Sequence, residues 1–355
     1  FITQKNRMKI LHIINDLSQN GGAQRFLIDL VVQHQPKYQI KVVTLSTEND
    51  FKDILKDNNV EYLSWPLLSF REKWKILQWP DLVHSHLFPS IYLSLLSIGK
   101  KRLQTEHNST NRRRDYPLLK FMELLLYKSH HKTVCITNKV REELVKFIPH
   151  YEDRYDVVYN GVDLNRFSRI EKPHRKINHS TQINIGMVGR LHSYKDHKTL
   201  IKAISKLPQN YLLHLAGDGS EKKYLQDLAK RLDCSDRIIW HGIISNVPNF
   251  LSELDIYVQS SIAEGFGLAA VEAMAEGLPV LGTDVPGLNE VIGDKLYLFQ
   301  QGNLEELVSK IQLLANDKIS YEAASKYSIE RCKDFTLDNF RTNYYQAYED
   351  IYEKK

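Results

Sequence analysis

The sequence predicts an α/β protein of two domains, each a parallel sheet wound with helices, and three observations carry that prediction. Its 355 residues exceed the size at which a single hydrophobic core usually stops growing, so two cores of about 170 residues each are expected. Short apolar runs rich in β-branched residues alternate with amphipathic helical patterns, and the alternation occurs twice. Between the two series, residues 166–182 are polar, contain Pro173 and follow neither period, which marks a linker.

The first series opens with MKILHII (8–14) and includes QIKVVTL (39–45), DLVHSH (81–86), TVCIT (133–137) and YDVVYN (155–160). The helical pattern AQRFLIDLVVQH (23–34) separates the first two, giving a βαβ progression and hence a parallel sheet over residues 8–165. The second series, over 183–330, contains INIGMVGR (183–190), YLLHLAGDG (211–219), RIIWHG (237–242), DIYVQSS (255–261) and LPVLGTD (278–284). From residue 303 the pattern is helical to the end. Residues 1–7, which precede Met8, are set aside as leader or an appended segment.

Composition narrows the function classes. With 42% hydrophobic and 26% charged residues the chain is an ordinary folded protein, not a disordered one. The net charge of +5 is too mild to argue for nucleic acid, but it is uneven: residues 1–165 hold 24 Lys/Arg against 18 Asp/Glu, and residues 166–355 hold 24 against 25. The basic half could therefore meet phosphates or an anionic membrane surface. Cys135, Cys234 and Cys332 lie far apart and form no metal-ligand spacing, and no apolar run approaches the roughly 20 residues of a membrane span, so cytoplasmic residence is expected, with peripheral contact to the membrane's inner face allowed.

Open α/β sheets bind ligands at the carboxyl ends of their strands, and two such domains facing each other make a cleft, so the chemistry is sought in the loops after strands. After the first run, NDLSQNGGAQRF places Gly21 and Gly22 before a helix, either to seat an anion on its N-terminus or simply as a glycine turn. After INIGMVG, Arg190 and Lys195 are two cations able to hold a diphosphate, although each alone reads as a solvated surface cation. After DIYVQSS, Glu264 precedes the Gly265-Phe266-Gly267 turn, and Glu272 lies eight residues on, in a helix beginning near Leu268. GFGLAA also fits a relaxed dinucleotide pattern, but in a late strand unit rather than the first.

The E-x7-E spacing of AEGFGLAAVEAMAEGLPV, the GRL of 189–191 with Lys195, AGDG at 216–219, YNGVD at 159–163 and GGAQ after the first strand together resemble a family 4 glycosyltransferase of GT-B fold. The resemblance covers nearly the whole chain and implies two Rossmann-like domains facing a cleft, the first binding acceptor and the second nucleotide-sugar, with residues 331–355 a helix crossing back to the first domain. It implies that Glu264 and the backbone of Gly265, Phe266, Gly267 and Leu268 hold the donor sugar and phosphates, and that Glu272 takes the ribose. Arg190 and Lys195 would hold the diphosphate, with Gly189, Gly217 and Gly22 allowing close backbone approach, and the base would lie near Ile243. His107, in QTEHNS, is the expected histidine beside the anomeric carbon, and His86 its competitor; His84 reads as a satisfied strand-end histidine.

The implied reaction is transfer from a nucleotide-sugar, UDP-linked in expectation, with retention and an α-linkage, and without a metal or other cofactor. No Asp-x-Asp pair is present for a bridging Mg²⁺. The implied acceptor is a glycan or lipid-diphosphate-linked saccharide of a bacterial surface polysaccharide, and no nucleic acid. Residues 100–132 hold nine Lys/Arg against three acids, and Arg112, Arg113 and Arg114, together with His86, are read as acceptor or membrane contacts. The helix that follows, LLKFMELLLY, is read as packing its apolar stripe on the sheet. Phe340, Tyr344, Tyr345 and Tyr348 are read as packing aromatics. Two alternatives remain, a catalytically silent GT-B partner that binds nucleotide-sugar and a GT-B sugar-nucleotide epimerase; a dinucleotide oxidoreductase stands further off.

Overall fold

The structure, a computed structural model, describes residues 7–19, 21–34, 37–108, 111–167 and 182–353. The linker expected at 166–182 falls almost wholly outside the described residues, as do residues 1–6. The chain forms two compact units: residues up to Gly161 together with Leu337 onward, and Val162–Thr336.

In the first unit, β1 (Lys9–Ile14), β2 (Gln39–Thr44), β3 (Glu61–Ser64), β4 (Leu82–His86), β5 (Lys101–Glu106), β6 (Lys132–Cys135) and β7 (Tyr155–Val157) form one parallel sheet in the order β3-β2-β1-β4-β5-β6-β7. Right-handed crossovers then put helices on both faces, because the direction of strand addition reverses between β1 and β4. One face of β1 carries Ile10 and Ile14 into a core shared with helix Gly22–His34 and with the final helix, Leu337–Glu353. The other face carries Leu11 and Ile13 against Ile76 and Leu93. Apolar runs foretell the strands that are buried on both faces. They do not foretell β3 or β5, whose sequences EYLS and KRLQTE are half polar.

The second unit repeats the plan with six parallel strands in the order β10-β9-β8-β11-β12-β13. These are β8 (Ile183–Val188), β9 (Tyr211–Ala216), β10 (Ile238–Gly242), β11 (Ile256–Gln259), β12 (Val280–Thr283) and β13 (Leu298–Phe299). Here the reversal lies between β8 and β11.

The helix expected at 331–355 starts later. Helix Lys318–Cys332 runs past residue 331, a tight turn covers Lys333–Phe335, and extended Thr336 breaks the helical run before Leu337. The last helix belongs to the first unit's core. Phe340, Tyr344, Tyr348 and Ile351 are buried there, the Tyr348 hydroxyl 2.8 Å from His84 Nδ1 and the Tyr344 hydroxyl 2.9 Å from Thr105 Oγ1. Buried phenols need such partners, and three aromatics plus an isoleucine removed from water stabilise the unit by about 1.5–3 kcal/mol each. Tyr345 is only partly buried beside that cluster.

The reading of helix Pro117–Ser129 as a core helix is corrected. Leu126 and Tyr127 do face inward, but Leu118, Phe121, Met122 and Leu125 are exposed. The inward face is instead completed by Glu123, fully buried and bonded to Tyr92, Asn111 and Arg113.

Candidate active site

Ligands of doubly wound sheets gather where strand order reverses, and in the second unit that point lies beyond the ends of β8 and β11. Lys195, in the turn after β8, forms an ion pair with Glu264, in the loop after β11. Both side chains are largely withdrawn from water, at 25% and 12% exposure, so their attraction is far less screened than in a surface pair. Asp196 adopts a left-handed conformation (φ 43°) and accepts from Thr199 Oγ1 at 2.7 Å, fixing the turn that aims Lys195.

A hydrogen-bond chain holds Glu264 from behind. The Tyr257 hydroxyl donates to Gln259 Oε1 at 2.7 Å, Gln259 Nε2 donates to Ser261 Oγ at 3.2 Å, and Ser261 Oγ donates to Glu264 Oε2 at 3.2 Å. Sequence reasoning missed these three residues. Their only signal is a run of polar residues, Gln259 to Ser261, at the carboxyl end of an apolar strand. Tyr257 is fully buried, and burial pushes its hydroxyl well above the usual phenol range, with Glu272 and Glu264 adding to the rise.

Glycines shape the same place for different reasons. A Cβ on Gly217 (φ 139°) would lie 2.0 Å from the Gly189 carbonyl, and one on Gly287, also missed, 2.4 Å from the Glu264 carbonyl, so both allow backbones to touch. Gly189 differs: a Cβ there meets nothing nearer than 3.8 Å, at Lys195. Gly267 (φ 101°) caps helix Leu268–Ala275, on which Glu272 is half-buried. Gly265 lies in the turn, Leu268 is half-buried, Arg190 and Ile243 are exposed, and Phe266 is buried edge-on against Phe335. Phe266 therefore offers a ligand its backbone alone.

In the first unit the reversal lies beyond β1 and β4, and a cavity of about 220 Å³ occurs there. Asn15 braces its rim, donating to the Phe88 carbonyl at 2.6 Å and accepting from the Ser90 amide at 3.1 Å. Leu87 is held at φ 59°, a strained value for leucine. Gln104, Glu106 and Asn108 also line the cavity, and the Gln104 side-chain oxygen is buried without a partner. Arg113 lines it too, its guanidinium 4.4 Å from the Phe88 ring centre and bonded to Glu123 at 2.8 Å.

The other expected residues of this unit separate. Gly22 is exposed at the start of its helix, and the side chain of Arg112 lies outside the described residues. Arg114 does not reach outward: it donates to the Tyr127 hydroxyl at 3.2 Å and stacks on Phe147, so it is engaged within the fold. His86 is completely buried, its Nε2 3.2 Å from His12 Nδ1, which removes it as a direct contact for acceptor. His107 is 8% exposed, packed edge-on to Phe26, and burial lowers its pKa to about 3, so the imidazole is neutral. Among the described residues, His12, His84 and His86 group as metal ligands could, yet both ring nitrogens of His84 are already engaged by Tyr348 and Thr105.

The family description "Glycosyltransferase Family 4" matches residues 20–166, and "Glycosyl transferases group 1" matches residues 169–331. The chain belongs to the family 4 glycosyltransferases. The O-antigen biosynthesis glycosyltransferase WclY of Escherichia coli is 23% identical to this glycosyltransferase over 97% of this chain and 99% of its own length. An uncharacterized glycosyltransferase of Methanocaldococcus jannaschii, MJ1607, is 30% identical over 182 residues, 48% of this chain; the chain spans about half the length of that relative. Among solved structures, HepE of Anabaena in complex with UDP and glucose superposes with a TM-score of 0.84 at 20% identity, covering 97% of this chain and 100% of that one. The likeness establishes the fold: two parallel-sheet α/β units of seven and six strands, the GT-B plan.

Proposed function

We propose that this glycosyltransferase moves a sugar from a UDP-linked donor to a glycan or lipid-linked saccharide during synthesis of a bacterial surface polysaccharide, with retention and an α-linkage. The observation that carries the reading is the Lys195–Glu264 pair at the strand reversal of the second unit, with Gly189 beside Lys195 and bearing no side chain there. The family membership supports it, as do the UDP in HepE and the O-antigen role in WclY's name.

In this reading a diphosphate arriving at Lys195 shares its ammonium with Glu264, whose remaining lone pairs take sugar hydroxyls. Arg190 adds a second cation, and together they replace the charge that a metal supplies elsewhere, stabilising negative charge as it grows on the leaving phosphate. The anomeric carbon to phosphate-oxygen bond breaks, the acceptor oxygen bonds to that carbon on the same face, and the acceptor proton passes to the departing phosphate. Glu272 takes the ribose, Ile243 borders the base, and His107, neutral through burial, is a hydrogen-bonding ring rather than a further cation. The cavity with Gln104, Glu106 and Arg113 receives the acceptor sugar.

A thermal-shift screen of nucleotide-sugars identifies the donor. With that donor, Lys195→Ala and Glu272→Ala each abolish transfer while circular dichroism stays that of the parent; full activity in either variant rejects the assignment.

A further inference from the structure

Helices that cover a sheet normally turn apolar side chains inward and polar ones to water. One helix layer of the first unit does the opposite on its outer side. Helix Phe70–Gln78 reaches the sheet through Ile76, and segment 90–96 through Leu93, both in the cluster with Leu11, Ile13 and Val83. Helix Pro117–Ser129 joins the same layer, since Tyr92 donates to Glu123 at 3.0 Å and His130, just beyond the helix, lies 3.4 Å from both Ser85 and Ser94. Ser85 shares its face of β4 with Val83.

The outer side of that layer is apolar. Leu118, Phe121, Met122 and Leu125 are 72%, 58%, 39% and 49% exposed, and their spacing of three and four residues makes one stripe. Phe70 and Trp74, one turn apart, are 84% and 54% exposed, and Leu96 and Ile98 are 53% and 69% exposed. Elsewhere in the described residues large exposed apolar side chains are scattered, as on any soluble protein, so it is their concentration here that needs an occupant.

Charge selects the occupant. Arg71, Lys75, Lys120 and Lys128 are exposed among these apolar residues. The nearby acids are fewer: Glu123 is buried against Arg113, while Glu72, bonded to Ser69 as a helix cap, and Asp115 are exposed, two carboxylates against four cations. A basic surface studded with leucine, phenylalanine and tryptophan suits the boundary of an anionic bilayer, where apolar groups enter the acyl region and cations meet headgroup phosphates. A second copy of the same face would bring like charges together.

We propose that this layer, helices Phe70–Gln78 and Pro117–Ser129 with the intervening Leu96 and Ile98, docks on an anionic lipid bilayer. The inference deepens the proposed function, resting on it only in that a lipid-linked acceptor is met at such a surface, and its test needs no turnover. The full chain is sedimented with vesicles of phosphatidylcholine alone and of phosphatidylcholine with 30% phosphatidylglycerol. The parent partitions to the anionic vesicles, less so at high salt. The triple variant Leu118→Ser/Phe121→Ser/Leu125→Ser and the double variant Phe70→Ser/Trp74→Ser, all at exposed positions, bind at least tenfold more weakly while keeping the parent's circular dichroism and its thermal shift with UDP. Failure of the parent to bind anionic vesicles, or undiminished binding by both variants, overturns the proposal. So does a parent dimer in light scattering that the triple variant dissociates while vesicles leave the parent in solution. Vesicle binding by a chain with no transferase activity would reject the proposed function and leave the docking surface standing.

Discussion

Acidification is expected to destabilise the first unit more than the second, beginning before its carboxylates titrate. His107 and His130 are buried there with pKa values lowered to about 3 and about 4, and His86, more tightly enclosed and facing His12 and His107, is lowered well below 6.5. In each case burial is the main cause, because it penalises the charged ring. The second unit has His197 in a like setting, lowered to about 4 by burial and by nearby Lys195. Since folding depresses these values, the unfolded chain binds the extra protons; the stability they allow is complete above pH 6.5 and is lost as pH falls toward 3–4. At pH 5.5 each imidazole costs about 1.4 kcal/mol, so three in the first unit remove about 4 kcal/mol and one in the second about 1.4 kcal/mol, against a typical domain stability of about 5–15 kcal/mol. Tryptophans 65, 74 and 79 belong to the first unit and Trp240 to the second, so fluorescence in urea weights the first. Its midpoint should fall steeply between pH 7.5 and 5.5, and His130→Asn should shrink that loss by about 1.4 kcal/mol whatever it does to stability at pH 7.5. Equal midpoints at the two pH values would refute the reasoning.

Two further outcomes follow from the second unit. Gly189→Leu puts a side chain against Lys195, which a Cβ there already meets at 3.8 Å, and abolishes the thermal shift with UDP while circular dichroism stays that of the parent; an unchanged shift would mean that no ligand lies there. Ser261→Ala removes the hydrogen bond behind Glu264, which leaves the Lys195 pair in place but loosens the carboxylate, at a cost of about 1 kcal/mol or roughly fivefold in kcat/KM with little change in KM. Parent kinetics in that variant would show that Glu264 is oriented by Lys195 alone.

The paired series of strands was legible because parallel strands buried on both faces need continuous apolar runs, as in ILHII of β1 or IYV of β11. β5 was not, since Lys101 and Arg102 at its start are only half-buried, and Arg102 is held by the Ser94 and Ser97 carbonyls rather than by burial among apolar groups. Periodicity also showed that helix Pro117–Ser129 has an apolar stripe without saying which way it faces; a buried Glu123 paired with Arg113 turns it outward. Lys195 and Glu264 are 69 residues apart, and only the resemblance joined them before the sheet order did. Arg114 and His86 looked available because a sequence lists charges and rings without showing what encloses them.

The final helix has a consequence for how the protein is made. A ribosome delivers residues 8–161 first, and domains generally fold in order of synthesis. Yet this sheet has a face whose aromatic filling, Phe340, Tyr344 and Tyr348, is the last to emerge. His84 and Thr105 wait for hydroxyl partners that are more than 230 residues downstream. The unit encoded second is continuous in sequence and can close as soon as Thr336 has left the ribosome. The nascent chain thus completes its parts in reverse order, and until helix Leu337–Glu353 is made the first unit has this face only partly covered, by helix Gly22–His34, the state in which a chaperone or a premature stop matters most.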